Sequence, residues 1–303
     1  MRVLVTGANG FLGSYLCSAI SQADGKNEVL AVVRGEPGAR PSVLAHLPNL
    51  RSCYADLAQG LHVAEPIDVI VHAAGRTPVP GVEVTDFVRN NIIATQNLVE
   101  FAVRKQVKVF VYLSALSVYG RVESMVVDES TPMTDPTPYG ITKYIGELLL
   151  KDKQDVLRSI AIRLPLVMGI GMSTGWLYGA YEASKRGEAI RIYNGDSPYN
   201  MVHVSDVCDL VLSSLNSDFP GHCAFTVGCD NHMSVREIVT AITRHVGSTS
   251  PIMEESTATK GFRVSSEKAR RLLAFRPKAA NEILDFFLEE ATLASGAMTP
   301  CQK

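Results

Sequence analysis

The sequence lacks the features that mark membrane, secreted and nucleic-acid-binding proteins. None of its apolar runs reaches the ~18–20 residues that a transmembrane helix needs. The formal net charge is −2, so the chain has no basic excess for nucleic acid and no acidic tail. The N-terminal segment MRVLVTG enters a predicted strand at once and leaves no room for a signal peptide. These absences predict a cytoplasmic protein that spans no membrane and binds no nucleic acid.

Cysteine and histidine spacings exclude further kinds of site. The six cysteines contain no CxxC pair and no metal-ligand spacing: Cys17, Cys53, Cys208, Cys223, Cys229 and Cys301. The seven histidines form neither HxH nor HExxH. We therefore predict reduced, structural thiols and no metal.

Short apolar segments alternate with helical segments through the first 165 residues. Continuously apolar runs predict strands that are buried on both faces: 2–7, 28–34, 68–75, 108–115 and 159–165. Helices are predicted between them, as over 11–23 and 90–106. This alternation predicts βαβ units and a doubly wound parallel sheet, an α/β fold of the Rossmann type.

The pattern changes after residue 165. Residues 175–190 are predicted as a helix, 202–217 as a strand that continues into a helix, and 234–247 as a helix with a capping box. We predict a dinucleotide-binding domain over 1–165 and a smaller C-terminal α/β substrate lobe over 166–303, with the chain able to cross back between them.

A glycine-rich loop follows the first predicted strand. The segment VLVTGANGFLGSYL has TGxxGxxG spacing and leads into the first helix. Glycine lets the backbone turn tightly and approach a pyrophosphate, which the free N–H groups of the helix N-terminus then bind. Because the loop lies inside a βαβ unit, it predicts a dinucleotide site rather than a plain strand–helix turn. Its predicted cofactor residues are Gly7, Asn9, Gly10, Phe11, Leu12 and Gly13.

The end of the second strand bears on the choice of nicotinamide cofactor. An acid there would hold the ribose 2′-OH, but the chain carries Arg34. A guanidinium can pair with a 2′-phosphate in a forked geometry, which favours NADP(H) over NAD(H). Stacking on the adenine or exposure to solvent is the alternative for Arg34. Asp56 and Leu57 follow the third strand, and we predict that they contact the adenine. The alternative for Asp56 is that it caps a helix.

Tyr139 and Lys143 form a candidate catalytic pair in PYGITKYIGELLL. Their i, i+4 spacing places both side chains on one face of a helix. A neighbouring ammonium favours the tyrosinate and lowers the pKa of the phenol toward neutrality. The pair can then exchange the proton that accompanies hydride transfer with a nicotinamide, whereas an exposed helix face is the alternative.

Together these motifs resemble an extended short-chain dehydrogenase/reductase of the NAD-dependent epimerase/dehydratase group, over nearly the full length. TGANGFLG (6–13) resembles the family's nucleotide loop, HAAG (72–75) its strand signature and YGITK (139–143) its YxxxK motif. The resemblance implies further cofactor contacts at Ala73, Ala74, Asn91 and Pro165. It also implies that His72 packs at a strand end rather than acting as a base.

The resemblance raises a question about the segment FVYLSALSVYG. The family normally places a Ser or Thr hydroxyl beside the tyrosine, to polarise the substrate carbonyl, and this chain has Ala115 there. Three possibilities stay open: Ser117 replaces the hydroxyl, a shifted turn brings Ser114 into use, or the tyrosine works without a serine. Losing one such donor commonly costs on the order of 100-fold in rate.

Other positions bear on the substrate. Family dehydratases carry Asp and Glu where this chain has Leu116 and Ser117, so a 4,6-dehydratase is not expected. Leu166 and Tyr199 stand where family members hold a nucleotide diphosphate with asparagine and arginine. Further candidates, each with surface exposure or core packing as its alternative, are Arg191, Lys260, Arg263, Trp176 and Tyr178.

The resemblance leaves several functions open. We expect an NADP(H)-dependent reductase of a keto group in a nucleotide-linked sugar, or an epimerase that acts through such a group. The alternatives are a reductase of a non-nucleotide carbonyl metabolite, similar to dihydroflavonol reductase, and a regulatory module that binds NADP with little turnover. The resemblance further implies a homodimer that pairs through the helices over 90–106 and 139–152.

Overall fold

The computed structural model describes residues 1–23, 27–35, 47–172, 175–258 and 261–296. Its strands are β1 (Arg2–Thr6), β2 (Glu28–Val33), β3 (Leu50–Tyr54), β4 (Val69–His72), β5 (Val109–Ala115), β6 (Val126–Val127), β7 (Arg158–Leu164), β8 (Leu166–Met168), β9 (Ile190–Tyr193), β10 (Met201–His203), β11 (His222–Thr226), β12 (Ile252–Glu255) and β13 (Arg263–Val264). Its α-helices are α1 (Phe11–Gln22), α2 (Val84–Phe87), α3 (Ala94–Arg104), α4 (Pro138–Asp152), α5 (Trp176–Lys185), α6 (Val204–Leu215), α7 (Val235–Val246), α8 (Glu267–Leu273) and α9 (Ala280–Gly296). Within these ranges no helix has the length and apolar character to cross a membrane.

The main sheet is parallel and has seven strands, in the order β11-β7-β5-β4-β1-β2-β3. The predicted α/β fold of the Rossmann type is therefore confirmed. The five strands predicted from apolar runs correspond to β1, β2, β4, β5 and β7. No apolar run marks β3, because its sequence LRSCY forms an edge strand that is only partly buried.

Successive residues of the central strands enter opposite faces of the sheet. In β1, Val3 and Val5 pack in one apolar cluster with α1 and α6, whereas Leu4 packs in a second cluster with α3. All three side chains are fully buried. Burial on both faces explains why these strands are continuously apolar rather than alternating.

Residues beyond 165 contribute both to this sheet and to a separate apolar cluster. β11 pairs with β7, and its Phe225 is fully buried against the sheet. The separate cluster has members from α5, α7 and α9. α7 begins at the predicted capping box, in which Ser234 and Glu237 bond each other's backbone N–H groups. Because the chain returns to the main sheet at β11, the division into domains at residue 165 stays a prediction.

The strand order reverses at β1. The chain passes from β1 through α1 to β2 on one side, while β4 lies on the other side. Ligands of open α/β sheets bind in the crevice outside the carboxyl ends of the strands at such a point. The loops after β1 and β4 therefore frame the candidate site.

Candidate active site

The glycine loop turns tightly after β1. Gly7 has a φ of +65°, and the N–H of Gly10 donates a 2.8 Å hydrogen bond to the carbonyl oxygen of Gly7. A Cβ atom at Gly13 would lie 2.0 Å from that oxygen, and one at Gly7 would lie 2.8 Å from Cα of Ala74. Only glycine fits at these two positions, because any side chain would push β1, α1 and the loop after β4 apart.

The first turn of α1 is open to an anionic ligand. α1 begins at Phe11, and its N-cap residue, Gly10, supplies no side-chain cap. The N–H groups of a first helical turn have no intrahelical partner, and the helix dipole adds positive potential there. A pyrophosphate suits this environment, so the residues present fit a dinucleotide.

A cleft of about 240 Å³ lies at the carboxyl ends of β1, β2 and β4. Its lining includes many predicted cofactor residues: Gly7, Asn9, Gly10, Arg34, Asp56, Leu57, Ala73 and Ala74. Other predicted cofactor residues, among them the Tyr139–Lys143 pair, lie outside this lining: Phe11, Leu12, Gly13, Asn91, Tyr139, Lys143 and Pro165. The ring of Phe11 packs edge-on to Tyr15, whereas Leu12 packs against the core. Their contacts with a cofactor stay predictions.

Two arginines lie at the end of the cleft near β2. Nη1 of Arg34 donates a 2.8 Å hydrogen bond to Oδ1 of Asn90. Nη2 of Arg89 pairs with Oδ2 of Asp56 at 2.6 Å. Asp56 also accepts a 3.1 Å hydrogen bond from the N–H of Ala58, so it caps a 3₁₀ helix while lining the cleft. The hydrogen bond from Arg89, with a smaller effect from the charge of Arg34, holds the pKa of Asp56 below its usual range.

Sequence reasoning did not single out Arg89. It lies in a π-helical segment, Val88–Ile93, and it pairs with a residue 33 positions away in the sequence. Its place directly before the asparagines of NNII is the one local signal. No spacing rule connects that signal to Asp56.

Asn91 lies in the same π-helical segment and is buried. Its Oδ1 accepts a 2.6 Å hydrogen bond from the N–H of Arg76, and its Nδ2 donates to the carbonyl oxygen of Arg76 at 3.0 Å. Nδ2 also donates to Oγ1 of Thr142 at 3.1 Å. Asn91 therefore joins the loop after β4 to α4, while its contact with a cofactor stays a prediction.

His72 is fully buried at the end of β4. Its Nδ1 lies 2.6 Å from Oγ1 of Thr6, and its Nε2 lies 2.9 Å from Oγ1 of Thr95. Burial, together with the charge of Lys143, lowers the pKa of His72 to about 3. The imidazole is therefore neutral near pH 7 and packs at the strand end.

Tyr139 and Lys143 lie in the first two turns of α4. Pro138 is the first residue of this helix, and Oγ1 of Thr137 caps it by accepting a 3.2 Å hydrogen bond from the N–H of Gly140. Proline suits this first position because its missing N–H is not needed there. The cap and the proline fix where the helix begins, and hence where the pair lies.

Lys143 is buried behind the lining of the cleft. Its Nζ lies 4.4 Å from the centroid of the Tyr112 ring. A Cβ atom at Gly75, a residue that lines the cleft, would lie 4.0 Å from Nζ and 3.3 Å from Oδ1 of Asn91. The ammonium and the Asn91 amide therefore both lie close to this part of the lining.

The pKa of Tyr139 differs from the sequence-based expectation. Burial raises the pKa of this phenol to about 12. Burial also lowers the pKa of Lys143 to about 8, partly opposed by the charge of Glu147. The predicted lowering of the phenol pKa toward neutrality is therefore wrong for this structure, in which burial disfavours the charged tyrosinate.

Ser114 points into a buried ion-pair network. Its Oγ donates a 2.5 Å hydrogen bond to Oε1 of Glu147, which lies one turn beyond Lys143 on α4. Nη2 of Arg163 pairs with the same carboxylate at 2.7 Å, and its Nη1 donates to Oη of Tyr119 at 2.7 Å. The hydroxyl proton of Ser114 is thus directed at this network.

Ser117 lies in a 3₁₀ helix, Leu116–Tyr119, directly after β5. Its Oγ is buried and has no hydrogen-bond partner among the residues that the structure describes. A Cβ atom at Gly140 would lie 2.1 Å from the carbonyl oxygen of Ser117, so this turn packs on the start of α4. Ala115, the last residue of β5, supplies no hydroxyl. Which serine acts in catalysis stays a prediction.

Aromatic and apolar side chains surround positions 166 and 199. Leu166, Tyr178 and Tyr199 pack against the apolar cluster of α5, α7 and α9. The rings of Trp176 and Tyr199 have centroids 5.4 Å apart. Burial raises the pKa of Tyr199 to about 12, so its hydroxyl is neutral near pH 7. These residues offer no positive charge to a diphosphate.

Of the positively charged side chains that were predicted to bind the substrate, the two that the structure describes do not line the cleft. Arg191 pairs with Glu255 at 3.8 Å on the surface, and Arg263 lines a second, polar pocket beside α7. Lys260 and Cys301 lie outside the described residues. Across the described ranges, no three His, Cys, Asp or Glu side chains converge as metal ligands would.

The model of the NAD dependent epimerase/dehydratase family matches residues 3–228. The chain belongs to this family. The match includes the glycine loop and the Tyr139–Lys143 pair, so the resemblance predicted from the motifs is confirmed. The chain is accordingly an enzyme of the epimerase/dehydratase class within the short-chain dehydrogenase/reductase superfamily.

Individual members of the family are similar to this chain in sequence and in structure. A UDP-glucose 4-epimerase of Yersinia pestis is 27% identical over 286 residues, which cover 82% of this chain and 83% of the relative. The uncharacterized UDP-glucose epimerase YtcB of Bacillus subtilis (strain 168) is 35% identical over 169 residues, which cover 49% of this chain and 50% of YtcB. The structure of MoeE5 in complex with UDP-glucuronic acid and NAD is 26% identical, with a TM-score of 0.83 over 97% of this chain and 100% of MoeE5. The epimerase/dehydratase fold thus extends over nearly the whole chain.

Proposed function

We propose that the chain is an NADP(H)-dependent oxidoreductase that reduces, or epimerises through, a keto group of a nucleotide-linked sugar. The observation that carries the proposal is the buried Lys143, which shares α4 with Tyr139 and lies close to Gly75 in the lining of a cleft that begins at the glycine loop. The names of the relatives, which refer to UDP-glucose, and the UDP-sugar bound to MoeE5 support a nucleotide-linked sugar.

Tyr139 serves in this proposal as the proton donor. Because its pKa is about 12, the phenol keeps its proton near pH 7 and can donate it to a substrate carbonyl oxygen. Lys143, with a pKa of about 8, carries a positive charge below that pH and stabilises the developing tyrosinate. A bound nicotinamide supplies or accepts the hydride.

Arg34 supports NADP(H) rather than NAD(H). It directly follows β2 in the lining of the cleft, where its positively charged side chain is exposed. The proposal departs from MoeE5 in this respect, since MoeE5 is in complex with NAD. Asp56, on whose pKa the charge of Arg34 acts, is already paired with Arg89.

A titration of the wild type and Arg34→Ala with NADPH and NADH, followed by calorimetry, tests the choice of cofactor. We expect NADPH to bind more tightly than NADH in the wild type and this preference to be lost in the variant. A preference of the wild type for NADH, or NAD that copurifies and does not leave, would contradict the proposal and favour a tightly bound cofactor in an epimerase.

A second candidate substrate is a carbonyl metabolite without a nucleotide. The observation in its favour is that Leu166 and Tyr199, which pack with Trp176 and the apolar cluster, supply no charge where the family resemblance implies contacts with a diphosphate. NADPH oxidation with 4-keto sugar nucleotides and with ketones that lack a nucleotide separates the two candidates. A reductase consumes NADPH in proportion to product, whereas an epimerase returns the hydride and leaves the cofactor unchanged. If the protein binds the cofactor but turns over neither set of substrates, the result would favour a regulatory module that binds NADP.

A homodimer through α3 and α4 is part of the proposal. Ile141 and Leu148 on α4 are exposed, as is Ile93 directly before α3. Exposed apolar residues on adjacent helices suit an interface between copies. Light scattering after size exclusion should give the mass of a dimer for the wild type and of a monomer for Ile141→Glu/Leu148→Glu. A monomeric wild type would contradict this part.

A further inference from the structure

Three charged side chains meet at the adenosine end of the cleft. Arg89 and Asp56 form an ion pair at 2.6 Å, and Arg34 is near enough to Asp56 for its charge to act on the carboxylate. Arg34 and Asp56 line the cleft, together with Asn90, which accepts the hydrogen bond of Arg34. The group therefore has two positive charges and one negative charge, with a net charge of about +1.

Asp56 is ionised near pH 7, since its hydrogen bond from Arg89 lowers its pKa. An ionised carboxylate at this place would repel the 2′-phosphate of NADP(H), which carries close to two negative charges. It would have little effect on the ribose hydroxyl of NAD(H). The two cofactors should therefore respond differently to the charge on this group.

We propose that Arg89 determines specificity for the cofactor 2′-phosphate, by neutralising Asp56 so that the charge of Arg34 stays available to the phosphate. This inference rests on the proposed preference for NADP(H). Arg34 is the phosphate ligand in this arrangement, and Arg89 acts through Asp56. The local net charge then decides the preference between the two cofactors.

Position and exposure agree with this role. Arg89 and Asn90 are consecutive, so the π-helical segment holds the partner of Arg34 beside the partner of Asp56. The side chain of Arg89 is 54% exposed and that of Asp56 is 32% exposed, so a cofactor can approach both. Asp56 accepts hydrogen bonds both from Arg89 and from the N–H of Ala58, so its carboxylate is held by two partners.

Four proteins test whether the net charge of this group decides the cofactor preference: the wild type, Arg89→Gln, Asp56→Asn and the double variant. Asparagine still caps a helix, so Asp56→Asn changes the charge and retains the cap. The net charge of the group is about +1 in the wild type, 0 in Arg89→Gln, +2 in Asp56→Asn and +1 in the double variant. The measurement is the Kd of each protein for NADPH and for NADH at low salt.

We expect Arg89→Gln to weaken NADPH binding by about tenfold, because one unit of charge acts on a doubly charged phosphate across solvent. Binding of NADH should change by less than about twofold, since NADH lacks that phosphate. Asp56→Asn should raise the ratio of NADPH to NADH affinity above the wild-type ratio. The double variant should return close to the wild-type ratio, because its net charge is the same.

Arg104→Gln is the matched control. Arg104 ends α3, is 65% exposed and lies 4.0 Å from an exposed glutamate, Glu100. It resembles Arg89 in exposure and in having a carboxylate partner, but that partner, unlike Asp56, does not line the cleft. Its loss should leave the affinity ratio unchanged. Raising the salt concentration to 0.5 M should shrink every difference, since the interaction is screened.

The outcomes separate this inference from the proposal on which it rests. A wild type that prefers NADH overturns the proposed NADP(H) preference. A wild type that prefers NADPH, with the preference lost in Arg34→Ala but retained in Arg89→Gln, overturns only the role of Arg89. An equal loss of NADPH and NADH in Arg89→Gln, or a double variant that stays as weak as Arg89→Gln, also overturns that role.

Discussion

The hydroxyl of Ser114 donates a 2.5 Å hydrogen bond to the buried carboxylate of Glu147. The same carboxylate is paired with Arg163, so the serine lies at one end of a network that joins β5, α4 and β7. These side chains are at most 6% exposed. The network anchors α4, which carries Tyr139 and Lys143, to the centre of the sheet.

Breaking this ion pair should destabilise the protein. Glu147→Gln leaves the buried guanidinium of Arg163 without its counter-charge, and such a loss typically lowers the free energy of unfolding by ~3–5 kcal/mol. Urea unfolding gives the value. Glu123→Gln, which removes an exposed partner of Arg121, is the control and should have a much smaller effect. Equal effects of the two substitutions would argue against the network as an anchor.

Ser117→Ala should lower the rate without lowering stability. The Oγ of Ser117 is buried without a partner in the described part of the chain, so its removal costs no hydrogen bond. If it polarises the substrate carbonyl, its loss should reduce kcat by on the order of 100-fold. Turnover and thermal unfolding are measured on the same preparation. Unchanged turnover together with a loss in Ser114→Ala would assign the role to Ser114.

Ala115→Ser should restore turnover to the Ser117→Ala variant. Ala115 occupies the position at which the family resemblance implies a hydroxyl, and it is only partly buried. A donor added there should increase kcat of Ser117→Ala by roughly 10–100-fold on the substrate that the wild type turns over. Ala115→Val in the same background, which adds bulk without a hydroxyl, is the matched control. No increase in kcat would indicate that position 115 does not reach the substrate carbonyl or that the reaction needs no such donor.

His72 should make the protein sensitive to acid. Its pKa is about 3 in the folded state and about 6.5 when unfolded, so the unfolded chain binds a proton that the folded protein does not. The contribution of His72 to the free energy of unfolding is therefore fully present above pH 6.5, and it is lost as the pH falls toward 3. Between pH 7 and pH 5 it should fall by roughly 2 kcal/mol.

Urea unfolding of the wild type and His72→Gln at several pH values measures this contribution. The variant should be less stable near pH 7, because the contacts with Thr6 and Thr95 change, but its stability should depend less on pH. Parallel pH profiles of the two proteins would contradict the assignment of the acid sensitivity to His72.

Particular elements show how far the sequence could be used for prediction. β1, β2, β4, β5 and β7 follow from apolar runs because each is buried on both faces, whereas the edge strand β3 has no such run. The capping box of α7 follows from two residues that are close in the sequence. The pKa of Tyr139 could not be predicted from its i, i+4 spacing to Lys143, because burial depends on everything packed around the phenol.

The sequence by itself determined the five strands that are buried on both faces, the glycine loop and the Tyr139–Lys143 pair. Each of these is a local pattern, in which spacing along the chain sets the geometry. Only the tertiary structure decided that Ser114 binds Glu147 and that Arg89 pairs with Asp56. Each of these contacts joins residues 33 positions apart, and such partners are chosen by the packing of helices on the sheet rather than by spacing.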